Sequence, residues 1–198
     1  DASSIELRIL CHYMGNKHFT KEVVSGDIHT INQKILGLET RDQAKTFIYA
    51  LLYGAGSRKL GSIIGKGAEA GKGLSKSFFR VHTDFLKLKT KVFNYSKEGR
   101  TIVGLGKRTL EVRSSHSALN TLLQGGAAIV MKRALVIFSE KLEGRAQFVA
   151  NVHDEWQLEV DKDLADVVGT MGVEAIKKAG TYYNLKCPLD GEYKVGAT

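Results

Sequence analysis

The sequence predicts an α+β fold, and two patterns in it support that prediction. Two pairs of short apolar segments each flank a turn, which is typical of β-hairpins. Several longer segments repeat their apolar residues every three or four positions, as one face of an α-helix does. Because the strands come in adjacent pairs, we expect an antiparallel sheet covered by helices.

Helices are predicted for much of the first half of the chain. The apolar residues 5–10 are expected to begin a short helix. Residues 41–53 have the clearest amphipathic pattern, and the glycines that follow mark the end of that helix. Further glycines divide the next part of the chain into shorter helices, near 57–64, 68–79 and 81–95.

The second half is predicted to contain both hairpins. The first spans 100–113, and the second joins a strand at 148–152 to a strand at 156–160. Between and after them we predict a long helix, a further helix and a short strand, at about 116–142, 163–179 and near 185–189.

The composition describes an ordered, basic chain. Of the 198 residues, 43% are hydrophobic and only one is proline, which argues against disorder. The chain has 29 basic and 21 acidic side chains and therefore a formal net charge of +8. This balance suits a polyanionic partner such as nucleic acid, although a basic soluble surface would give the same value.

Cysteine content and hydropathy exclude several classes of protein. Cys11 and Cys187 show no metal-type spacing, so neither a zinc site nor a disulfide framework is predicted. A reducing, cytosolic setting is expected. We find no apolar run of the roughly 18 residues that span a bilayer and no signal peptide, so no membrane association is expected.

One face of the helix predicted at 41–53 carries two cations followed by two phenols. Arg41, Lys45, Tyr49 and Tyr53 are four positions apart, so they form a stripe about 18 Å long opposite the apolar face. Cations suit a triphosphate, and flat rings suit a sugar and a base. An ordinary solvated face would look similar, but the glycines after it favour a ligand site because glycine permits close backbone approach.

Carboxylates near the two ends of the chain are candidate metal ligands. Asp154 lies at the predicted turn of the second hairpin. Asp1 precedes an apolar run, and Glu6 follows five positions later. Mg²⁺ takes oxygen ligands, and two such ions can activate a hydroxyl and stabilise a leaving oxygen. By itself, Asp154 could simply belong to a polar loop, and Asp1 could simply be an exposed chain end.

Three segments together resemble the motifs of family A polymerases, the DNA polymerase I type. Residues 40–56 resemble the fingers-helix motif in the form found in podovirus-like phages, and residues 26–30 match that branch too. Residues 1–8 resemble the first catalytic motif, although Ser4 stands where glycine is more usual, and residues 152–155 resemble the last one. Because the motifs occur in family order, the chain is identified as a member of this family.

The resemblance covers the chain from Asp1 to about Tyr193, and it implies a division of the α+β fold. Residues 1–30 would form the palm with the first catalytic motif, and residues 31–98 the helical fingers. Residues 99–198 would complete the palm with a hairpin, the long helix and the last catalytic motif. A thumb is expected to be absent.

The implied reaction is attack of a primer 3′-hydroxyl on the α-phosphorus of a deoxynucleoside triphosphate, with pyrophosphate as the leaving group. By the resemblance, Asp1 and Asp154 would bind two Mg²⁺ ions. His29, Arg41 and Lys45 would hold the triphosphate, and Lys45 is the expected proton donor to pyrophosphate.

The resemblance also implies contacts with the sugar and the template. Tyr49 and Glu6 would exclude a ribose 2′-hydroxyl, and Tyr53 would stack near the templating base. Many members of the family have Phe where this chain has Tyr49. A phenol can replace the missing hydroxyl of a dideoxynucleotide, so we expect ready incorporation of chain terminators.

DNA contacts are expected from polar residues on the long helix and at the second hairpin. His116, Asn120 and Gln124 recur at spacing four, where a plain polar helix stripe would look the same. In the family the matching helix touches the template–primer duplex, and amides there could donate to minor-groove acceptors common to all base pairs. His153 and Glu155 are expected beside the primer end.

The expected partners are primer–template DNA, deoxynucleoside triphosphates and a processivity factor bound through upstream regions. The expected location is the cytoplasm, that of a bacterial host if the chain is phage-encoded. A single-subunit RNA polymerase is one alternative, but Glu6, Tyr49 and Glu155 favour DNA synthesis. The other is an inactive fragment that binds DNA, because the strand expected before Asp1 is missing and a free amine would lie beside the metal site.

Overall fold

The computed structural model describes residues 1–99 and 101–196. They form a helix-rich α+β arrangement with small antiparallel sheets, as predicted. The helices are α1 Ile5–Met14, α2 Lys17–Val24, α3 Ile28–Leu36, α4 Arg41–Leu52, α5 Ser57–Ser62, α6 Ala68–Val81, α7 Thr83–Gly99, α8 Ala118–Leu142 and α9 Ala165–Tyr182. The strands are β1 Thr101–Val103, β2 Thr109–Glu111, β3 Ala146–Val152 and β4 Glu155–Val160. Short 3₁₀ turns occur at Leu105–Lys107, Ser115–Ser117 and Lys162–Leu164.

Both predicted hairpins are present, and each forms a small antiparallel sheet of its own. Strand β1 pairs antiparallel with β2, and β3 pairs antiparallel with β4; within the described residues these are two separate two-stranded sheets. The register of β3 and β4 shifts between Phe148 and Ala150, so Val149 bulges out of the ladder. The two hairpins belong to different compact units of the chain.

The first unit contains Asp1–His12, Leu105–Lys107 and the chain from Leu123 onward. Its core lies around Phe138 and Leu142 of α8, which pack with residues of α9, and Trp156 of β4 covers it with its ring 5.2 Å from that of Phe138. A Cβ on Gly172 would come within 3.3 Å of the Phe138 ring, so the absence of a side chain lets α9 approach α8 closely.

The second unit contains Tyr13–Gly104 and Arg108–Leu122. The apolar face of α4 is fully buried there, as its periodicity predicts. Phe47 packs against Phe78 of α6 with ring centroids 5.7 Å apart. Burial of each such side chain contributes roughly 1.5–3 kcal/mol, so α4 is firmly held. A further cluster joins α7, the β1–β2 hairpin and the start of α8, through Val92, Ile102, Val112, Ala118 and Leu122.

Helices α2 and α3 are elements that the sequence analysis does not predict. Asn16 caps α2, since its side-chain oxygen accepts a hydrogen bond from the amide of Phe19. Asp27 caps α3 through the amides of His29 and Thr30, and the helix ends at Gly37 with a left-handed φ of 63°. Both helices therefore carry recognisable start signals, but they are too short to show clear periodicity.

The strand predicted near 185–189 is not formed. The nearest pairing is an isolated antiparallel bridge between Ala2 and Gly191. Pro188 lacks an amide hydrogen, and its carbonyl oxygen accepts a hydrogen bond from the guanidinium of Arg8 at 2.5 Å. The segment is thus fixed by a side chain and not by a strand ladder.

One helical segment has the length and apolar character of a membrane span, contrary to expectation. Ser115–Leu142 contains an 18-residue window of mean hydropathy 1.4, of which 44% is buried inside the protein. A core helix of a soluble protein passes the same test, so this is weak evidence for a span. Because Leu122 and Phe138 lie in the cores of the two units, we interpret α8 as a core helix.

Candidate active site

The turn of the second hairpin presents Asp154, as predicted. Val152 pairs with Glu155, which leaves His153 and Asp154 as a two-residue turn between β3 and β4. His153 has φ 50°, in the left-handed region that non-glycine residues rarely adopt. Such local backbone cost is tolerated where the surroundings fix the conformation, and it is frequent at functional sites.

The backbone beside Asp1 lies next to this turn. The amide of Ala2 donates a hydrogen bond to the carbonyl of Asp154 at 2.9 Å. On its other side, the carbonyl of Asp1 accepts a hydrogen bond from the amide of Glu192 at 3.0 Å. Asp1 and Asp154 therefore occupy adjacent backbone segments, although 152 residues separate them along the chain.

Gly191 makes this close approach possible, and the sequence analysis does not identify it. A Cβ at this position would lie 2.8 Å from the carbonyl oxygen of Asp1 and 2.9 Å from Cδ1 of Ile176. The Asp190-Gly191 dipeptide is a turn signal in the sequence, but only the fold reveals what it faces.

Three further predicted residues lie at the same place. Oε1 of Glu6, on α1, is 3.2 Å from Nε2 of His153. The Glu6 side chain is 8% exposed and that of His153 is 51% exposed, so the contact joins a buried carboxylate to the surface of the turn. Glu155 accepts a hydrogen bond from Gln157 at 3.0 Å.

Arg8 is a buried arginine that the sequence analysis does not single out. Its Nε donates to the carbonyl of Ser3 at 2.8 Å, and one terminal nitrogen donates to that of Pro188. These two acceptors lie on the two backbone segments that meet at Asp1. Arg8 thereby fixes the segment that carries the first candidate carboxylate.

The residues around Asp1 and Asp154 fit a divalent metal with oxygen ligands. Asp1 is exposed and Asp154 half-buried, so both lie where solvent or substrate can complete a coordination shell. Across residues 1–99 and 101–196, no three His, Cys, Asp or Glu side chains converge to hold a metal by themselves. Mg²⁺ needs no such cluster, because it commonly binds one or two carboxylates together with substrate phosphates and water.

In the second unit, helix α4 displays the predicted stripe. A capping box between Thr40 and Gln43 fixes the start of the helix. Arg41 and Lys45 are exposed, Tyr49 is half-buried, and Tyr53, which caps the end, is exposed. The rings of Tyr49 and Tyr53 are 6.3 Å apart, so the two phenols form a continuous aromatic surface.

Arg41 has an acidic partner that the sequence analysis misses. Its Nε donates to Oδ2 of Asp27 at 2.8 Å, and Asp27 also caps α3. Hydrogen bonds from Arg41 and Thr30 hold the pKa of the Asp27 carboxyl well below its usual range. The contact uses one of the five N–H donors of the guanidinium and orients the group at the start of the stripe.

His29 lies beside the stripe, as the prediction requires. It is 7% exposed, and its ring centroid is 6.2 Å from that of Tyr49. Burial lowers the pKa of His29, and the positive charges of Arg41 and Lys45 lower it further. The imidazole is therefore neutral at physiological pH, and its buried Nδ1 finds no hydrogen-bond partner among the described residues.

A groove of about 540 Å³ runs along the second half of the stripe. Lys45, Tyr49 and Tyr53 line it together with Gly54 and Lys59. Its size is that of typical small-molecule sites. Lys45 and the two phenols therefore border an open space and not a packed face of the helix.

Gly54 is needed for a reason different from the one expected. Its φ is 80°, and an added Cβ would lie 2.8 Å from the carbonyl oxygen of His116. The glycine therefore lets α4 end against the protein's own backbone, whereas the sequence predicts that it faces a ligand. Gly56 has open space at its Cβ position.

The three residues expected to touch the duplex do not form one continuous helical stripe. His116 lies in the 3₁₀ turn before α8, with its ring 5.4 Å from that of Phe93. Asn120 is half-buried in the second unit, and its Oδ1 has no partner among the described residues. Gln124 is exposed and belongs to the first unit.

Comparison with known proteins identifies the family. The model of DNA polymerase family A matches residues 1–198. The chain is 39% identical to the DNA-directed DNA polymerase of Escherichia phage T7 over 99% of its own length and 32% of that protein's. It is 38% identical to the DNA-directed DNA polymerase of Enterobacteria phage T3 over 100% of its own length and 32% of that protein's.

The fold agrees with a solved polymerase structure. The POL domain of Pol1 from M. smegmatis, in complex with DNA primer-template and dNTP, has a TM-score of 0.84 and 21% identity. The match covers 96% of this chain and 37% of that one. The chain thus spans about a third of the length of the curated phage relatives. With the family match over its whole length and the shared fold, the chain belongs to DNA polymerase family A.

Proposed function

We propose that this chain supplies the palm and fingers of a DNA-directed DNA polymerase, which adds deoxynucleotides to a primer 3′-hydroxyl as a template directs. The observation that carries the proposal is the hydrogen bond from Ala2 to Asp154, which brings the carboxylate residues of two distant motifs side by side. The phage relatives of this chain bear the name DNA-directed DNA polymerase.

Asp1 and Asp154 are the proposed ligands of two Mg²⁺ ions. When bound, such ions favour deprotonation of the attacking hydroxyl and stabilise charge on the leaving oxygen. Arg8 acts on this pair indirectly, because it holds the backbone beside Asp1 through Ser3 and Pro188. Exact placement of reacting groups accounts for a large share of catalysis in phosphoryl transfer.

The first half of α4 is the proposed triphosphate site. Lys45 is exposed, and Arg41 is oriented by Asp27, so both can bind phosphate oxygens. His29 is neutral and can donate a hydrogen bond to a phosphate oxygen from one ring nitrogen. Lys45 is the proposed proton donor to pyrophosphate, because an exposed ammonium beside the groove can reach a leaving group.

Sugar and base recognition is assigned to the phenols and to Glu6. Tyr49 would pack against the sugar of the incoming nucleotide, and Glu6 is the second residue proposed to select against a ribose 2′-hydroxyl. Tyr53 is 46% exposed at the end of α4 and is the proposed stacking partner near the templating base. Primer–template DNA is expected to contact His116, Asn120, Gln124, His153 and Glu155.

We propose that the first unit is the palm and the second the fingers. This division assigns residues 13–30, 99–104 and 108–122 to the fingers, where the motif order alone predicts palm. The proposed location is the cytoplasm of a bacterial cell, in keeping with phage relatives. The expected processivity factor stays a prediction.

Primer extension tests the proposal. We would measure it with Mg²⁺ for the 198-residue chain and for a chimaera in which this chain replaces the matching segment of a phage relative. We expect the chimaera to extend a primer with deoxynucleotides, and Asp154→Asn to abolish extension without loss of DNA binding. Asp163→Asn is the matched control, since Asp163 is an exposed carboxylate of the same unit and should be dispensable.

Two outcomes would contradict the proposal. One is extension by the Asp154→Asn chimaera at the rate of the parent. The other is a folded, DNA-binding chimaera that extends only with ribonucleotides, which would favour the RNA polymerase alternative.

A further inference from the structure

The two cysteines of the chain have no role in the proposed reaction. Neither forms a disulfide, and both are buried, with 1% exposure for Cys11 and 0% for Cys187. Cys11 lies on α1, and Cys187 lies in the segment 186–192 that follows α9. Sequence spacing predicts neither a metal site nor a disulfide from them, because 176 positions separate the two residues.

The fold brings these distant residues together. Arg8 donates to the carbonyl of Pro188 at 2.5 Å, and the amide of Lys186 donates to Nδ1 of His12 at 3.2 Å. Helix positions 8, 11 and 12 share one face, because residues three and four apart are neighbours on an α-helix. The two hydrogen bonds thus hold Cys187, the residue between Lys186 and Pro188, against the face of α1 that carries the other cysteine.

The Cys187 thiol lies near that of Cys11, and it also donates a hydrogen bond to the carbonyl of Pro188 at 3.7 Å. A hydrogen bond with the Cys11 thiol lowers the pKa of the Cys187 thiol; burial opposes this effect, and the charge of Arg8 adds to it. A lower pKa raises the population of thiolate, which is the reactive form of cysteine. The pair therefore has the proximity that an attacking and a resolving cysteine require, with Cys187 as the attacking residue.

We propose that Cys11 and Cys187 form a reversible modification site, at which hydrogen peroxide converts the dithiol to an intramolecular disulfide. The Cys187 thiolate attacks a peroxide oxygen and, with one proton, gives a sulfenic acid and water. The Cys11 thiol then attacks that sulfur, the S–S bond forms, and a second water leaves. Two electrons pass from the thiols to the peroxide, and a dithiol reductant reverses the change by exchange.

Oxidation at this site acts on the backbone around Asp1. The segment that carries Cys187 also contains Gly191 and Glu192, which pair with Ala2 and Asp1. A disulfide ties this segment covalently to α1, which noncovalent contacts hold against it in the reduced protein. In a reducing compartment, such a bond is expected to be transient and to respond to oxidant.

Peptide mapping of the folded 198-residue chain tests the proposal. The chain is treated with hydrogen peroxide, alkylated with iodoacetamide in denaturant and digested with trypsin without reductant. We expect a disulfide-linked pair of the tryptic peptides 9–17 and 187–194, lost on treatment with dithiothreitol. Full alkylation of both cysteines, irreversible oxidation without the linked pair, or links only between separate molecules would overturn the proposal.

Two controls separate a built site from random oxidation. Peroxide treatment in urea should give several-fold less of the linked peptide, since unfolding separates the two cysteines. Equal yields from the folded and the unfolded chain would contradict the proposal, and this control needs no mutation. In Cys11→Ser, the resolving thiol is gone, so Cys187 should accumulate a sulfenic acid that dimedone traps. Absence of the dimedone adduct from the folded variant would also count against the proposed order of attack.

Discussion

The Nε of Arg41 lies 2.8 Å from Oδ2 of Asp27, so the first cation of the α4 stripe is already paired with a carboxylate from the start of α3. Both side chains are about half exposed. A pair this exposed contributes little to stability, because solvent screens the two charges. The main effect of the Arg41–Asp27 pair is therefore to orient the guanidinium and to reduce the positive charge available to a phosphate.

Replacing Asp27 tests that effect. We expect Asp27→Asn to keep α3 intact, since asparagine also caps helices, and to strengthen binding of a deoxynucleoside triphosphate several-fold at low salt. Equilibrium titration with a fluorescent analogue would measure this. Asp42→Asn makes the same charge change on α4 without a hydrogen bond to Arg41, and it should have a smaller effect. Equal effects would show that net charge alone matters.

The phenol of Tyr49 leads to a prediction about chain terminators. We expect the chimaera to accept dideoxynucleotides readily and Tyr49→Phe to discriminate against them by about tenfold or more, because one hydrogen bond of about 1.5 kcal/mol is lost. The measurement is the ratio of kcat/KM for deoxy and dideoxy substrates. Tyr53→Phe is the control and should leave the ratio unchanged. Strong discrimination by the parent would contradict the assignment of Tyr49.

The contact between Gly54 and His116 predicts a stability difference between two neighbouring glycines. Gly54→Ala forces a side chain into a left-handed backbone position and against a carbonyl oxygen, and it should cost about 1–3 kcal/mol. Gly56→Ala has open space and an ordinary φ of −75°, and it should be nearly neutral. Urea denaturation of both variants checks this, and equal stabilities would contradict the close contact.

His82 predicts a loss of stability in mild acid. Burial, with a contribution from His18, lowers the pKa of His82 from 6.5 to about 4, and its Nε2 lies 2.8 Å from Oδ1 of Asn32. The unfolded chain therefore binds a proton at a higher pH than the folded one does. Stability should fall as pH drops from 6.5 towards 4, with His82 contributing on the order of 1–2 kcal/mol after allowance for partial exposure.

A variant separates this histidine from other groups that titrate in the same range. The free energy of unfolding of His82→Phe should depend less on pH between 6.5 and 4 than that of the parent. Burial also lowers the pKa values of His12 and His29, so some dependence should persist. An unchanged slope in the variant would show that His82 is not held neutral by the fold.

Local sequence signals predict α4, the Asp154 turn and the two hairpins, because each depends on residues a few positions apart. The same reasoning misses Arg8 and Asp27, whose partners lie 180 and 14 positions away. Gly191 is missed for the same reason, since its neighbour Asp1 lies at the other end of the chain. Local sequence patterns do not identify the distant partner of a residue.

Local sequence patterns also do not predict that the strands form two separate small sheets. The apolar alternation in β1 and β2 is the same whether they join β3 and β4 or stay apart. Only three residue pairs hold the first hairpin, so its partners are set by packing against α7 and α8 and not by its own sequence. Long-range packing also decides that residues 185–189 make no strand.

The framework around Asp1 and Asp154 consists of main-chain hydrogen bonds from Ala2 and Glu192, and these do not depend on which side chains the two residues carry. The side chains at positions 1 and 154 can therefore change while the backbone pairing stays the same. Substitution by asparagine, glutamate or histidine should leave the backbone pairing intact, so a mutational series there reports on ligand chemistry and not on misfolding. The same independence makes the turn a practical place to engineer altered metal preference.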